Sequence, residues 1–193
     1  WYVWRAEFDG LDPEMTRDEA GTIENGVWNL PVSAGASTGY VSFDPAIDIS
    51  ANKNLVFETR IKYNNRNASN SGLLYCTQAI LNFMGSSTNY QAPVYSINGK
   101  LGVGGNNKDN VVEVTDYDLK ANEWYTFRMK FNSSRNAFVL TVADDHGNTY
   151  ESESIPVTYN LSINELHKIN LQYRFEVSSV IDYLRIWDED LLP

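Results

Sequence analysis

Alternation of apolar and polar residues with a period of two is the feature that most constrains the fold of this 193-residue chain. Segments 54–64, 124–131 and 168–177 show it most clearly. In the first of them, the alternate positions that share one side are Leu55, Phe57, Thr59, Ile61 and Tyr63. Because successive side chains of a β-strand point to opposite faces, this pattern predicts strands with one buried face. Only Ser162–His167 is predicted to form a brief helical turn.

Short polar sequences separate the predicted strands. Asn25-Gly26 and Asn98-Gly99 tolerate the positive φ values of tight hairpin turns, and Asp144–Asn148 is a third turn sequence. Asp116–Asp118 is predicted to lie in a loop. Further strands are predicted at Val27–Leu30, Gly39–Phe43, Gly72–Ile80, Ala92–Ile97, Leu101–Val103, Val111–Val114, Ala137–Ala143, Thr149–Ile155 and Val180–Trp187. So many short strands predict an all-β, antiparallel two-sheet β-sandwich that forms a single domain over residues 1–193.

Charge and composition exclude several classes of partner. The net charge of −10 repels polyanions, so the sequence predicts no nucleic-acid partner. No stretch approaches the roughly 18 apolar residues of a membrane span, which predicts no membrane insertion. The single cysteine, Cys76, lies in an apolar run and is predicted to be a small buried residue. Sequons at Asn67, Asn132 and Asn160 agree with an extracellular, periplasmic or cell-surface location.

Both ends of the chain combine aromatic and acidic residues. The closing segment Val180–Trp187 places Asp182 among β-branched and aromatic residues, although strands disfavour aspartate. The opening segment Trp4–Gly10 carries Glu7 in a similar setting. These patterns predict that the two ends pair as neighbouring strands, with an acid from each end available to hold a cation or to cap a turn.

The two ends resemble the concanavalin A-like jelly rolls, in particular the family 16 glycoside hydrolases. Trp4-Arg5-Ala6-Glu7-Phe8-Asp9-Gly10 is similar to their opening motif, and Val180–Trp187 is similar to their closing strand. Glu123–Met129 resembles their central strand. The resemblance implies a jelly roll with a structural calcium ion between the first and last strands, at the positions of Glu7 and Asp182. The alternative is that Asp182 only accepts hydrogen bonds from loop amides.

The catalytic motif of those hydrolases is missing from this sequence. They carry Glu-x-Asp-x-x-Glu on one strand, which brings two carboxylates about 5 Å apart. Here Glu151-Ser152-Glu153 lacks the third acid, and Glu58 stands beside Arg60. A jelly-roll lyase would need a tyrosine or histidine to move protons, and His146 and His167 both fall in predicted turns.

A concave groove that binds sugar is the predicted functional site. Carbohydrate sites combine an aromatic platform with polar side chains that orient the hydroxyl groups. The resemblance places such residues on the concave sheet: Glu58, Arg60, Tyr75, Gln78, Tyr95, Gln172 and Arg174. The sequence therefore predicts a noncatalytic, monomeric domain that binds a polysaccharide or oligosaccharide. The alternatives are a glycoside hydrolase or polysaccharide lyase of the same fold, or a protein-interaction domain like laminin G.

Overall fold

The described part of the chain forms sixteen β-strands and one short 3-10 helix in this computed structural model. The structure describes residues 2–9, 16–17, 21–31, 40–65, 77–84, 94–97, 99–103, 112–156, 164–170 and 177–191. The strands are β1 Tyr2–Ala6, β2 Thr16–Arg17, β3 Thr22–Glu24, β4 Val27–Leu30, β5 Tyr40–Asp48, β6 Leu55–Asn65, β7 Thr77–Met84, β8 Val94–Ile97, β9 Lys100–Val103, β10 Val112–Asp118, β11 Trp124–Phe131, β12 Ala137–Asp144, β13 Thr149–Glu151, β14 Ile155–Pro156, β15 Glu165–Asn170 and β16 Val177–Asp188. The 3-10 helix, Glu189–Leu191, follows β16.

The strands form two sheets. The nine-stranded sheet has the order β13-β12-β11-β6-β16-β4-β3, with β1 paired to β16 and β14 paired to β12. The seven-stranded sheet has the order β10-β9-β8-β7-β15-β5-β2. Neighbouring strands run antiparallel in both sheets. The predicted antiparallel two-sheet sandwich is therefore confirmed.

A hydrophobic core lies between the two sheets. The predicted alternation of β11 is confirmed, because its odd-numbered residues are buried whereas Arg128 and Lys130 are exposed. Trp4 of the nine-stranded sheet packs edge-on against Phe43 of the seven-stranded sheet, with ring centroids 4.9 Å apart. The largest fully buried side chains are Trp28, Tyr63, Phe8, Phe127, Phe138, Leu30, Leu55 and Ile61. Burial of this aromatic and aliphatic surface is the main force that holds the sheets together.

Three of the predicted elements are wrong. Thr149–Ile155, predicted as one strand, forms the two short strands β13 and β14, and Ser152–Ser154 lies between them. Glu165–His167, predicted as part of a helical turn, begins β15, which pairs with both β5 and β7. Pairing with β5 overrides the local helical preference of this segment, and Leu166 is buried in the core. Asp116–Asp118, predicted as a loop, ends β10, where Tyr117 is buried against the opposite sheet. Residues 171–176 of the predicted strand 168–177 lie outside the described residues.

Two buried tyrosines join the sheets at one end of the sandwich. Tyr117 on β10 and Tyr125 on β11 have ring centroids 6.4 Å apart. Burial, followed by the nearby carboxylates, raises the pKa of Tyr117 well above its usual value. Burial likewise raises the pKa of Tyr125 to about 12, although its hydroxyl accepts a hydrogen bond from the Lys120 amide. The folded state therefore favours the neutral form of both phenols.

We expect the free energy of unfolding to fall as the pH rises above 10. A folded-state pKa above the unfolded value means that this stability is fully present below the unfolded pKa and is lost as the pH approaches 12. For Tyr125 the loss is about 1–2 kcal/mol, which urea denaturation at pH 8, 10 and 11 measures. Tyr125→Phe should show a shallower loss over the same range. An equally steep loss in that variant would show that this phenol does not drive the effect.

Candidate functional site

The first and last strands are neighbours, as the sequence predicts. Trp4 of β1 lies opposite Ile186 of β16, and Ala6 lies opposite Leu184. The same β16 pairs on its other side with β6, from Val177 to Asp188. The first strand and the last strand therefore belong to the same nine-stranded sheet.

A β-bulge explains how an aspartate fits into the closing strand. Ile181 lies opposite Ile61, but Tyr183 already lies opposite Arg60, so Asp182 is an extra residue in β16. Ile181 and Leu184 are fully buried on either side of the bulge, whereas Asp182 and Tyr183 are partly exposed. The bulge was not predicted from the sequence. Its signal is the pair of consecutive outward-facing residues, Asp182 and Tyr183, that breaks the alternation of β16.

Glu58 lies at the centre of a polar network on the outer face of the nine-stranded sheet. Its side chain is 6% exposed, and its Oε2 accepts hydrogen bonds from Arg128 Nε at 2.7 Å and Nη2 at 2.6 Å. Its Oε1 accepts a hydrogen bond from the Tyr183 hydroxyl at 3.0 Å. Burial and the nearby Glu58 raise the pKa of Tyr183. Both oxygens of this buried carboxylate are thus engaged by protein groups.

Arg60 bridges two aspartates on the same face. Its Nη1 donates to Asp182 Oδ2 at 2.7 Å, and its Nη2 donates to Asp145 Oδ2 at 2.8 Å. The guanidinium also lies over the Trp124 ring, 4.5 Å from the centroid. Two ion pairs and a cation–π contact hold this side chain in one position.

Arg185 holds Glu7 in a bidentate ion pair. Arg185 Nε donates to Glu7 Oε1 and Nη2 donates to Oε2, both at 2.7 Å. The same guanidinium lies 3.7 Å from the centroid of the Tyr183 ring, which connects this pair to Glu58. We call the whole set the outer cluster: Glu7, Glu58, Arg60, Arg128, Asp145, Asp182, Tyr183 and Arg185.

The predicted groove residues are divided between the two sheets. Glu58 and Arg60 lie on β6 of the nine-stranded sheet, within the outer cluster. Gln78 and Tyr95 lie in the seven-stranded sheet. Gln78 of β7 lies opposite Ser96 of β8, and Tyr95 of β8 lies opposite Ala79 of β7. The seven predicted residues therefore do not share one sheet, because a period of two identifies a face of a strand but not the sheet to which the strand belongs. Tyr75, Gln172 and Arg174, like Cys76, lie outside the described residues.

The residues that the structure describes contain no cluster of potential metal ligands and no membrane-spanning helix. Within them, no group of three or more His, Cys, Asp or Glu side chains is close enough together to hold a metal ion. No helix of the described part has the length and apolar character needed to cross a membrane. The predicted calcium ligands Glu7 and Asp182 each contact an arginine, and their role as metal ligands stays a prediction.

Solved structures of legume lectins share this architecture along nearly their whole length. The winged bean acidic lectin, in complex with methyl-α-D-galactose, matches with a TM-score of 0.67 and 10% sequence identity over 93% of this chain and 94% of the lectin. Lectin II from Ulex europaeus matches with a TM-score of 0.65 and 10% identity over 95% and 97% of the two chains. Peanut lectin, solved with a nine-residue peptide, matches with a TM-score of 0.64 and 11% identity over 95% of each chain.

This chain has the concanavalin A-like jelly-roll fold. No protein-family model matches the sequence, and no curated protein matches it either. At about 10% identity the structural likeness establishes the jelly roll alone. The predicted fold is thereby confirmed, whereas the likeness of the termini to family 16 hydrolases stays a prediction.

Proposed function

We propose that this jelly roll binds a carbohydrate without transforming it, and that the ligand lies on the outer face of the seven-stranded sheet. The supporting observation is the match to the winged bean lectin in complex with methyl-α-D-galactose, which extends over nearly all of both chains. Fold alone does not determine function. The choice of ligand and sheet therefore rests on the chemistry of the two outer faces.

The outer cluster offers few free groups to a sugar. Glu58 is almost fully buried, and Arg60 already donates to Asp145 and Asp182. A sugar hydroxyl would have to replace charge-assisted hydrogen bonds, which are stronger than those a neutral hydroxyl makes. This cost favours the seven-stranded sheet, where Tyr95 of β8 lies opposite Gly102 of β9, at a register position that alternates with that of the buried Leu101.

The same ion pairs argue against hydrolysis at Glu58. A retaining glycosidase needs a second carboxylate about 5 Å away and a nucleophile that can reach the anomeric carbon. The oxygens of Glu58 instead accept hydrogen bonds from Arg128 and Tyr183. The net charge of −10 also favours a neutral glycan over a uronate polymer.

Two substitutions on the seven-stranded sheet test the proposal. We expect Tyr95→Ala to weaken glycan binding at least tenfold, about 1.4 kcal/mol, because Tyr95 is the residue proposed to contact the sugar. Gln78→Ala should change the affinity little, because the register position of Gln78 is shared with Ser96 and the buried Leu101. Arg60→Gln, on the other sheet, should leave the affinity nearly unchanged. A glycan array identifies the ligand, and isothermal titration calorimetry with that glycan measures the affinities, after circular dichroism has confirmed folding.

The outcomes separate this proposal from its alternatives. Loss of binding in Arg60→Gln, with full binding in the other two variants, would move the site to the outer cluster. New reducing ends or unsaturated uronates after incubation with the glycan would instead show an enzyme. An array without hits, together with a captured protein partner, would favour a protein-interaction domain.

The proposed function also includes a location and an oligomeric state for the domain. We propose that the domain acts in the extracellular space, in the periplasm or at the cell surface, and that it is monomeric. Size-exclusion chromatography with light scattering checks the oligomeric state. A stable dimer would contradict that part of the proposal.

A further inference from the structure

Each of the two carboxylates that are expected to bind calcium forms an ion pair with an arginine. Glu7, just after β1, receives two parallel hydrogen bonds from Arg185 of β16, both of 2.7 Å. Asp182, at the bulge of β16, receives one from Arg60 of β6, also of 2.7 Å. The two carboxylates thus belong to two different ion pairs.

Both guanidiniums are held in place by further contacts. Arg185 lies 3.7 Å from the centroid of the Tyr183 ring, and Arg60 lies over Trp124 while it also donates to Asp145. The hydrogen bond with Glu7 raises the pKa of Arg185 further above its usual value. Burial lowers the pKa of Arg60, but its bonds with Asp182 and Asp145 outweigh that effect and leave it raised. Arginine does not lose its proton in proteins, so both positive charges persist.

A calcium ion does not fit beside these arginines. Calcium takes six to eight oxygen ligands at roughly 2.3–2.6 Å. To reach Glu7 and Asp182, the ion would have to displace both guanidiniums from their carboxylates and rings. If the guanidiniums stayed, the ion would face two positive charges at short range, where like charges repel strongly. The planar guanidinium of arginine also forms two parallel hydrogen bonds with a carboxylate, so the carboxylate is neutralised without a metal ion.

We propose that Arg185 and Arg60 take the place of a metal ion at the two carboxylates Glu7 and Asp182. We call this arrangement the terminal clasp: Arg185 joins β16 to Glu7, and Arg60 joins β6 to Asp182. The terminal clasp neutralises the two carboxylates and links β16 to the residue after β1 and to β6. It makes the stability of this jelly roll independent of calcium at this position.

Thermal unfolding in the presence and absence of calcium tests the terminal clasp. The melting temperature of the unmodified chain should be the same in EDTA and in millimolar CaCl₂, and calorimetric titration with CaCl₂ should show no binding at this position. The proposal is overturned if calcium raises the melting temperature and the rise disappears in both Glu7→Gln and Asp182→Asn.

A double-mutant cycle tests the Glu7–Arg185 pair directly. Glu7→Gln and Arg185→Gln should each lower the melting temperature by about 3 °C, and the double variant should lower it by little more than either single variant. Glu153→Gln and Lys53→Gln change the same charges at exposed positions and should have almost no effect. Strictly additive losses for the pair would contradict the terminal clasp.

Discussion

Asp188→Ala is expected to lower the free energy of unfolding by about 3 kcal/mol. Asp188 is 3% exposed at the end of β16. Its Oδ2 accepts hydrogen bonds from the Lys53 amide at 3.0 Å and from Asn52 Nδ2 at 3.3 Å. Its Oδ1 accepts from the amides of Asn54, at 3.3 Å, and Asp190, at 3.1 Å. Alanine would leave these donors without their buried acceptor.

The expected loss is large because Asp188 joins two distant parts of the chain. Its carboxylate fixes the turn that leads into β6 and the 3-10 helix that follows β16, and the Glu189 amide adds a bond to the Asn54 carbonyl at 3.1 Å. Asp190→Ala is the matched control, since its exposed carboxylate accepts a hydrogen bond from the Asn54 side chain and should contribute about 0.5 kcal/mol. Urea denaturation followed by tryptophan fluorescence measures both variants. Equal losses of unfolding free energy in the two variants would show that the burial of Asp188 does not increase its contribution to stability.

Gly21→Ala is expected to cost about 3 kcal/mol through a steric clash. A Cβ atom at position 21 would lie 2.1 Å from Trp28 Nε1 and 3.0 Å from the Asn29 carbonyl oxygen. Trp28 is fully buried and its ring packs against Phe8, with centroids 5.6 Å apart. The indole therefore has no direction in which to move without disturbing the core, and β3 or β4 would have to shift.

Gly147→Ala provides the control for backbone conformation. Gly147 has a φ of +88° in the β12–β13 turn, and a Cβ atom there would have nothing within 4 Å. Its replacement should cost about 1 kcal/mol, from the strained φ alone. Differential scanning calorimetry should rank the two variants in that order, and near-ultraviolet circular dichroism should show an altered tryptophan environment only for Gly21→Ala. The steric explanation fails if Gly21→Ala is no more damaging than Gly147→Ala.

The strand pattern could be predicted because it depends on local chemistry. Side chains alternate along any strand, so the apolar positions of β6 and β11 identify their buried faces without knowledge of the partner strands. Asn25-Gly26 forms a turn with φ values of 54° and 74°, which asparagine and glycine tolerate. The predicted helical turn at Glu165–His167 failed because pairing with β5 outweighs the weak preference of a short segment.

The candidate site was less predictable because it depends on which strands are neighbours. The predicted residues were assigned to one concave sheet, but Glu58 and Arg60 lie on a different sheet from Gln78 and Tyr95. The bulge at Asp182 also escaped prediction, since an extra residue becomes visible only when the opposite strand defines the register. The hydrophobic pattern of the sequence predicts which side chains are buried, but it does not predict which charged side chains form ion pairs.

The amino-acid sequence by itself determined the class of fold, since alternation and turn chemistry act over a few residues. The pairing of the two ends was predicted separately, from the aromatic and acidic residues that both ends carry. Only the tertiary structure decided that Glu7 meets Arg185 and that Glu58 meets Arg128. These partners are 178 and 70 residues apart in the chain. Their contact depends on strand order and register, which are set by the packing of the whole core rather than by any local pattern.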